Sequence, residues 1–443
     1  MRVLIVTHRF PPDGIAGVER ITQTLADELA RGGDQVCVVC CRPQPTYDPQ
    51  PVRELLPNGV LVQRYLGGPV PLDGFLFHHT DMERHFEQTL LEFAPDVVHV
   101  MHLLDLSPRF VVLAHRYGAA VVISLQDFFL ACPLIILRKT NGEICAGPDG
   151  GYECARTCFA GEGGGAMMRW GLRALYYRRI LGMAERLIAP SQYVADYFVR
   201  YGAEPGRMRV IANGVSIPPA ESANGYVTPR QRGRLHLAFL GSVMPHKGPH
   251  LILDALKLAG LDAVDLTRIG QAPHRLYSQE LREAAAKIPG LRLRLYGAYE
   301  PSQLPWLLHD IDCVITPSVW PETFAIVTRE ALRQGIPLVT TQAGALPEAV
   351  VEGENGFTFD PRRPEALAVI LRRLVEDEAL VHRLRAGARA TPIVTVAQHA
   401  DAVREVYQQA IGDLAAHPAT RPSELEEFRF LHDALIHVGF SPP

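Results

Sequence analysis

Two glutamates separated by seven residues, Glu322 and Glu330, are the clearest candidates for chemistry in this chain of 443 residues. They lie in TPSVWPETFAIVTREALRQGIPLVTTQAGALPE, residues 316–348. The pattern predicts a buried strand, a turn, a helix, a second strand and a glycine-containing loop, which together form a βαβ unit of a parallel sheet. Because open α/β sheets bind ligands at the carboxyl ends of their strands, both acids are expected at a binding site.

The start of the predicted helix is suited to an anion. Thr323, Phe324 and Ala325 are expected to supply its first free N–H groups, where the helix dipole favours negative charge. Glu330 would accept hydrogen bonds from neighbouring hydroxyls such as those of a ribose, and Glu322 from the hydroxyls of a sugar. An anion site flanked by two hydroxyl acceptors fits a nucleotide sugar. The alternative is that the first acid only favours the helix start and the second is a solvated surface charge.

Two glycine-containing loops predict further phosphate contacts. In LGSVMPHKG, Gly241 permits close approach of a ligand to the backbone, and Lys247 is a flexible cation suited to a diphosphate. In GIAGVER, residues 14–20, the loop enters a helix and presents the N–H of Gly17. Neither loop has the spacing of a P-loop or of a dinucleotide fingerprint. The simpler alternatives are a surface lysine and a tight turn.

Length and composition fit a globular protein of two domains. A chain of 443 residues with 47% hydrophobic and 21% charged residues is ordinary in composition and long for one domain. The net charge of −4 provides no basic field for nucleic acid, so no nucleic-acid partner is expected. A strand-like run starts at once, and no run reaches the roughly 18 apolar residues of a membrane span. We therefore expect a cytoplasmic protein, with any membrane contact peripheral.

Alternating strands and helices predict two doubly wound α/β domains. The first would comprise residues 1–214 with a loop-rich, cysteine-containing insert at 126–166, and the second residues 234–397. Residues 215–233, which are rich in Pro, Ser, Asn and Gly, are predicted to be the linker. Residues 398–443 are expected to form one or two helices that, by analogy, return to the first domain. Two such domains facing each other would enclose a cleft, where a site is expected.

The eight cysteines fall into two groups. The first group lies on predicted strands, as is typical of small core residues: Cys37, Cys40, Cys41 and Cys313. The second group lies in the insert: Cys132, Cys145, Cys154 and Cys158. Four thiols in a short segment with few apolar neighbours fit a structural, tetrahedral zinc site. Free or redox-active thiols remain the open alternative, and a cytosolic setting disfavours a disulfide.

Residues 169–186, RWGLRALYYRRILGMAER, combine arginines with aromatic residues. A basic aromatic helix can lie on an anionic bilayer, which would suit a lipid-linked acceptor. A half-buried helix with solvated arginines is the alternative interpretation.

Taken together, the motifs resemble a known family. GIAGVER, LGSVMPHKG, PSVWPETF with its later glutamate, and NGFTFDP are similar in order and spacing to the retaining nucleotide-sugar glycosyltransferases of family 4 (glycosyl transferases group 1). The resemblance extends from residue 1 to about residue 410 and specifies neither sugar nor acceptor. It implies the α/β GT-B fold, in which two Rossmann-like parallel-sheet domains face a cleft. The first domain would lie on the acceptor side, and the second would bind the nucleotide sugar.

The resemblance also implies roles for the matching residues. The lysine and the backbone amides of the glycine loop and helix start would bind the donor's phosphates, the first glutamate the transferred sugar and the second glutamate the ribose. The donor-binding residues so implied are Gly17, Gly241, Ser242, Lys247, Glu322, Thr323, Phe324, Ala325 and Glu330.

The implied reaction is transfer of a sugar from a nucleoside diphosphate to a hydroxyl of a glycan, glycolipid or natural product, with retention (EC 2.4 class). The departing diphosphate would help to deprotonate the acceptor, so neither a protein nucleophile nor a catalytic metal is required. Glu322, Lys247 and Gln126 are the predicted catalytic residues, and His102 and Asp127 are predicted on the acceptor side. A structural histidine at a strand end is the alternative for His102.

Two positions depart from the family pattern. Ser242 stands where the family usually has an arginine, which removes one of two phosphate-binding cations. Gln126 stands where the family commonly has a histidine, and an amide cannot carry a proton. These departures leave open a non-catalytic protein that binds nucleotide sugars. A nucleotide-sugar epimerase of the same fold is a further alternative.

Overall fold

The computed structural model describes residues 1–43, 48–67, 79–163, 165–216 and 234–416. Its residue contacts divide the chain into two compact units. The first unit is Met1–Gly214 together with the segment that begins at Val396, and the second is Val215–Thr395. From residue 217 on, the predicted linker lies outside the described residues, as does the predicted C-terminal segment beyond residue 416.

The described part of the first unit contains an eight-stranded sheet and five helices before residue 214. Its strands are β1 Arg2–Val6, β2 Gln35–Pro43, β3 Asp48–Leu55, β4 Leu61–Gly67, β5 Val97–Val100, β6 Ala120–Ser124, β7 Arg186–Ala189 and β8 Met208–Val210. Its helices are α1 Gly17–Arg31, α2 Thr80–Phe93, α3 Phe110–Arg116, α4 Ala166–Met183 and α5 Gln192–Tyr201. The strand order is β3-β4-β2-β1-β5-β6-β7-β8. The side chain of Ser191 caps α5 by accepting a hydrogen bond from the N–H of Val194.

The antiparallel pair of β3 with β4 was only partly expected. The sequence pattern predicts irregular structure from residue 42 to residue 80, with a short strand near Gly59–Tyr65. β3 is an edge strand whose residues from Val52 to Leu55 are exposed, so it lacks the apolar alternation by which half-buried strands are recognised. All other strand pairs of this sheet are parallel.

The second unit contains a six-stranded parallel sheet with a hydrophobic core on each face. Its strands are β9 Leu235–Leu240, β10 Val264–Ile269, β11 Leu291–Tyr296, β12 Cys313–Thr316, β13 Leu338–Thr341 and β14 Gly356–Phe359. Its helices are α6 Pro249–Ala259, α7 Arg275–Ala286, α8 Leu304–Leu307, α9 Ile326–Arg333, α10 Pro364–Glu376 and α11 Glu378–Ala390. Continuous apolar strands such as LHLAFL are buried on both faces, as expected of a parallel sheet covered by helices.

The last described helix, α12 Val396–Ala416, packs against α1 and β6 of the first unit. The hydroxyl of Tyr407 lies 2.6 Å from Nδ1 of His99, whose Nε2 lies 2.8 Å from the hydroxyl of Ser124. Burial, and then the charge of His399, lower the pKa of His99 to about 3, so this ring is neutral. His99 is thus a core residue, as its position within a strand predicts. No helix in the described ranges is both long and apolar enough to cross a bilayer.

Each sheet has one position at which the strand order reverses. In the first sheet this switch point lies between β1 and β5, and in the second between β9 and β12. Loops that leave the carboxyl ends of these strands diverge and open a crevice for a ligand. The candidate residues should therefore be sought after β1 and β5 in one unit, and after β9 and β12 in the other.

Candidate active site

In the second unit, the side chain of Glu322 is held after β12 by three donors. Its Oε1 accepts hydrogen bonds from Oγ of Ser318 at 2.5 Å, Nζ of Lys247 at 2.8 Å and Nε1 of Trp320 at 2.9 Å. Glu322 is only 4% exposed, so these bonds replace the water that an ionised carboxylate loses on burial. All three bonds use Oε1 and none uses Oε2, which leaves that oxygen to accept hydroxyls of a ligand.

Lys247 comes to Glu322 from the loop after β9. The side chain of Lys247 is 27% exposed, and its ammonium lies 4.8 Å from the centre of the Trp320 ring. The two loops touch, because the N–H of Val319 donates to the carbonyl of His246 at 2.9 Å. Gly248 has φ +68°, and a Cβ there would lie 2.0 Å from the carbonyl oxygen of Pro317. An ammonium has three N–H donors, so the bond to Glu322 leaves two for a phosphate.

Gly344, in the glycine-containing loop after β13, allows a second close approach to Glu322. It has φ +63°, and a Cβ there would lie 2.3 Å from the carbonyl oxygen and 2.4 Å from the nitrogen of Glu322. The N–H of Ala345 donates to the carbonyl of Glu322 at 2.8 Å. The loop therefore fixes the backbone of the acid whose side chain is fixed by Lys247 and its neighbours.

The predicted helix start is displaced by three residues. α9 begins at Ile326, and Ala325 before it is left-handed with φ 55°. Thr323, Phe324 and Ala325 therefore precede the first turn, and the first free N–H groups of the helix belong to Ile326 and Val327. The misplacement arises because no capping side chain marks this helix start; the bend comes from the backbone of Ala325.

Three other donor-side residues are placed by their local elements. Glu330, on α9, is buried and accepts a hydrogen bond from the hydroxyl of Tyr299 at 3.4 Å. Ser242 is exposed directly after Gly241, whose N–H donates to the carbonyl of Ile269 at 2.9 Å. Ser242 brings no positive charge to this loop.

A cation that the sequence analysis missed, Arg329, lies beside the start of α9. Its Nη1 donates to the carbonyl of Phe324, and its guanidinium lies 4.2 Å from the centre of the Phe324 ring. Burial lowers the pKa of Arg329 to about 10, so the group stays charged at neutral pH. Arg329 follows an apolar stretch of the helix, and its spacing alone carries no signal of this contact.

In the first unit, a small open pocket lies at the carboxyl ends of β5 and β6. His102 and Asp127 line it, with Nε2 of His102 2.6 Å from Oδ2 of Asp127. The N–H of Leu104 donates to Nδ1 of His102 at 2.9 Å, so Nε2 carries the proton and donates to the carboxylate. Burial raises the pKa of Asp127, but the charge and hydrogen bond of His102 outweigh it and the pKa is lowered overall.

Gln126 also lines this pocket, but its amide is engaged within the first unit. Its Nε2 donates to Oδ1 of Asn213 at 3.1 Å, and Nδ2 of Asn213 donates back to Oε1 of Gln126 at 2.9 Å. Both side chains are buried. The pair ties the end of β6 to the residues after β8, and the sequence offered no signal that would connect the two amides.

The sequence analysis did not single out His8, in the loop after β1, or Glu19, in the first turn of α1. Nε2 of His8 lies 3.3 Å from Oε1 of Glu19, and its ring lies 4.3 Å from the ring of His102. His8 directly follows the carboxyl end of a strand, as His102 does. The rule that such positions lie at ligand sites would therefore also have predicted His8. Gly17, the exposed first residue of α1, keeps its N–H at the free end of the helix.

Arg64 on β4 holds the same loop in place through hydrogen bonds to residues 10–13. This buried guanidinium donates to the carbonyls of Phe10 and Pro11 at 3.1 and 2.8 Å and to Asp13 at 2.9 Å. No spacing in the sequence connects β4 with residues 10–13, so this contact could not be predicted.

The two groups of cysteines behave differently. The strand cysteines, from Cys37 to Cys313, are buried as predicted. In the insert, burial raises the pKa of Cys132 to about 11 and that of Cys154 to about 12, which keeps these thiols protonated. Among the residues that the structure describes, no three His, Cys, Asp or Glu side chains are placed to hold a metal ion. The zinc site expected at Cys132, Cys145, Cys154 and Cys158 therefore has no support from this geometry.

Sequence and structure comparisons identify the family. A glycosyl transferase 4-like domain matches residues 16–214, and a domain of the glycosyl transferases group 1 matches residues 227–391. A D-inositol 3-phosphate glycosyltransferase of Corynebacterium glutamicum is 30% identical over 230 residues, 48% of this chain and 54% of that protein. The glycogen synthase of Mycobacterium tuberculosis is 27% identical over 402 residues, 88% of this chain and 89% of that protein. The matches to the D-inositol 3-phosphate enzymes span about half of those proteins' length.

Solved structures of the same architecture include Anabaena HepE in complex with UDP and glucose, with TM-score 0.64 and 18% identity over 92% of this chain and 99% of that one. Sucrose-phosphate synthase from Thermosynechococcus elongatus has TM-score 0.68 and 17% identity over 93% of this chain and 99% of that one. Two parallel-sheet α/β units with these neighbours define the GT-B fold. The chain belongs to the glycosyl transferases group 1, family 4.

Proposed function

We propose that the protein transfers a sugar from a nucleoside diphosphate sugar to an acceptor hydroxyl, with retention of configuration. The observation that carries this proposal is the arrangement at Glu322. One carboxylate oxygen is held by Ser318, Trp320 and Lys247, while the other oxygen takes part in none of these bonds. A carboxylate for sugar hydroxyls and an ammonium for phosphate are thus fixed within 2.8 Å of each other.

The chemistry of such a site is mainly electrostatic. As the bond between the sugar carbon and the phosphate oxygen breaks, negative charge grows on the departing diphosphate. Lys247 and the free N–H groups of Ile326 and Val327 supply positive potential for that charge. Glu330 would bind the ribose, and Oε2 of Glu322 the sugar. No step requires a metal ion, so turnover is expected to persist in excess EDTA.

The named relatives suggest which substrates to test first. HepE structures contain UDP or UDP-glucose, so a uridine nucleotide is the first donor to examine. Inositol phosphate is the first candidate acceptor because it appears in the names of several relatives, and an α-glucan is the second because of the glycogen synthase match.

A thermal-shift screen against UDP-, GDP-, ADP- and dTDP-sugars tests donor binding. A ligand that binds only the folded state stabilises it by mass action and so raises the melting temperature. At a ligand concentration of about 100 Kd, the stabilisation is about 2.7 kcal/mol. We expect a shift with one nucleotide family that is lost in Lys247→Ala. Lys257→Ala is the control, since Lys257 is an exposed lysine on α6. The absence of a shift with every donor would contradict the proposal.

Ser242 and Gln126 favour a second candidate function, a binding protein without turnover. Ser242 supplies no cation, and Gln126 is engaged with Asn213. Release of nucleoside diphosphate distinguishes the two functions. Turnover that disappears in Glu322→Ala and in Lys247→Ala supports the enzyme, whereas a thermal shift without any turnover supports the binding protein.

A further inference from the structure

The insert between β6 and α4 contains a hairpin that brings Cys145 back towards Cys132. The N–H of Cys145 donates to the carbonyl of Leu137 at 2.7 Å, which closes the hairpin. The N–H of Ile135 donates to the carbonyl of Cys132 at 2.9 Å, which closes the turn that leads into it. The two thiols therefore interact electrostatically, although twelve residues separate them in the chain.

The helical turn Cys154–Cys158 packs against this hairpin and adds the other two thiols of the insert. The hydroxyl of Thr140 donates to the carbonyl of Thr157 at 3.2 Å, and Nζ of Lys139 lies 2.8 Å from the carboxylate of Glu153. The first cysteine of the turn interacts electrostatically with each of the other three thiols. Three segments of the insert thus place four sulfur atoms in one group.

A buried cation, Arg173 of α4, lies beside these thiols. It is 1% exposed, and its charge acts on Cys132 and Cys154. Its Nη2 donates to the carbonyl of Phe129 at 2.6 Å, whereas Nε has no hydrogen-bond partner among the described residues. In the same part of the chain, Arg173 forms no ion pair with a carboxylate. A buried charge is costly unless an opposite charge offsets it, so an anion is expected among its neighbours.

A second buried donor near the thiols is the hydroxyl of Tyr197 on α5. Tyr197 is 5% exposed, and its hydroxyl also lacks a partner within the described ranges. A Cβ at Gly147, two residues after Cys145, would lie 3.6 Å from this hydroxyl. The charges of Cys132 and Cys145 act on it. An ionised sulfur would accept its hydrogen bond, and such charge-assisted bonds are the stronger ones.

We propose that the insert binds one zinc ion through its four thiols, and that the two buried donors, Arg173 and Tyr197, hydrogen-bond to the bound sulfurs. The ligands are Cys132, Cys145, Cys154 and Cys158. Each thiol gives up its proton to solvent as it binds, and four thiolates around one divalent cation form a centre with net negative charge. The guanidinium of Arg173 offsets that charge, as groups around metal ligands commonly do.

The thiols must rotate to surround the ion. As the side chains stand, no three His, Cys, Asp or Glu residues in the described part of the chain are placed to hold a metal ion. Cys145 and Cys158 are only partly buried, so an ion can reach the site from solvent. The bound ion would tie the three segments together and take no part in sugar transfer. The zinc site does not depend on the proposed function, because all its residues lie in the first unit.

The test measures metal content and ligand type in the tag-free protein, purified after growth with zinc. We expect about one zinc ion per chain by elemental mass spectrometry, and X-ray absorption at the zinc edge should show sulfur ligands at about 2.3 Å. Cys145→Ser and Cys158→Ser should each lose most of the bound zinc during gel filtration. Cys37→Ala, which removes a strand cysteine, is the control and should keep it.

Tyr197→Phe tests the hydrogen bond to sulfur. We expect its zinc affinity, measured by competition with a chromophoric chelator, to fall about 10–100-fold. Tyr152→Phe, which changes an exposed tyrosine of the insert, should keep the wild-type affinity. Unchanged affinity in Tyr197→Phe would overturn the role of that hydroxyl. A wild-type protein without zinc, or with zinc bound only by nitrogen and oxygen, would overturn the site. Loss of donor binding in the wild type would contradict the proposed function alone.

Discussion

In the second unit one oxygen of Glu322 receives three hydrogen bonds, whereas in the first unit Nδ1 of His8 receives none from the described residues. The charge of Glu322 is therefore balanced within its own unit by Lys247, whereas the imidazole of His8 keeps a buried nitrogen lone pair. In the proposed function, a phosphate of the donor would share Lys247 with this carboxylate.

The two sites also differ in how far apart their residues lie in the chain. Ser318, Trp320 and Glu322 are close neighbours in sequence, and Lys247 and Gly344 join them from the loops after β9 and β13. In the first unit, His8, Glu19 and His102 come from three different elements. Each short motif can be recognised from its spacing, whereas the contacts between remote segments cannot.

The largest expected effect comes from removing the charge of Glu322. Glu322→Gln keeps the shape of the side chain but removes the carboxylate that pairs with Lys247. It also replaces the carboxylate with an amide, which is a weaker hydrogen-bond acceptor for the sugar hydroxyls of the proposed donor. We expect turnover to fall about 10²–10³-fold, the range seen when one electrostatic contact to a transition state is lost. The measurement is release of nucleoside diphosphate, with the exposed Glu365→Gln on α10 as control. A variant with wild-type turnover would show that the paired carboxylate has no role in transfer.

The next effect concerns the backbone beneath Glu322. Gly344→Ala places a Cβ against the backbone of Glu322 and forces a left-handed alanine, so we expect a loss of about 2–4 kcal/mol in the free energy of unfolding. Gly260→Ala is the matched control, because Gly260 has φ +61° and open space around its Cβ position. That control should lose only about 1 kcal/mol in urea denaturation. Equal losses would mean that the close approach to Glu322 is unimportant.

A smaller effect is expected in the first unit, where α12 packs on the sheet. Tyr407→Phe removes the hydroxyl that bonds to His99 and leaves a buried ring nitrogen without that partner. We expect a loss of about 1–2 kcal/mol in the free energy of unfolding. Tyr117→Phe, which changes an exposed tyrosine, is the control. The donor-induced thermal shift should persist in both variants, and its loss in Tyr407→Phe would show that the units are not independent.

The smallest effect is a pH dependence of the free energy of unfolding, which arises from His236 at the amino ends of the strands in the second sheet. The hydrogen bond to Asp310, and then the charge of Asp265, raise the pKa of His236 against the effect of burial. The folded pKa is above the unfolded value, so the resulting stability is fully present below the unfolded pKa and is lost as pH rises through the folded one. The difference in unfolding free energy between wild type and His236→Gln should be larger at about pH 5.5 than at about pH 8.5. A difference that grows with pH would contradict this assignment.

Much of the second unit's site could be predicted because its signals are local. The loop with Gly241 and Lys247, the two acids and the glycine-containing loop were all found from strand ends and spacing. What was missed there depends on backbone geometry: the left-handed Ala325 starts α9 three residues later than predicted, and Arg329 folds back onto Phe324.

By itself, the sequence determined the two α/β units, the buried strands and the loops that follow them, because apolar runs and glycine positions are properties of short segments. Only the tertiary structure decided which side chains meet at the first switch point. In the folded chain Gln126 pairs with Asn213 and His8 with Glu19. Both ring nitrogens of His102 have hydrogen-bond partners. The physical reason is that these contacts join segments far apart in the chain, and their partners are chosen by the order of strands in the sheet.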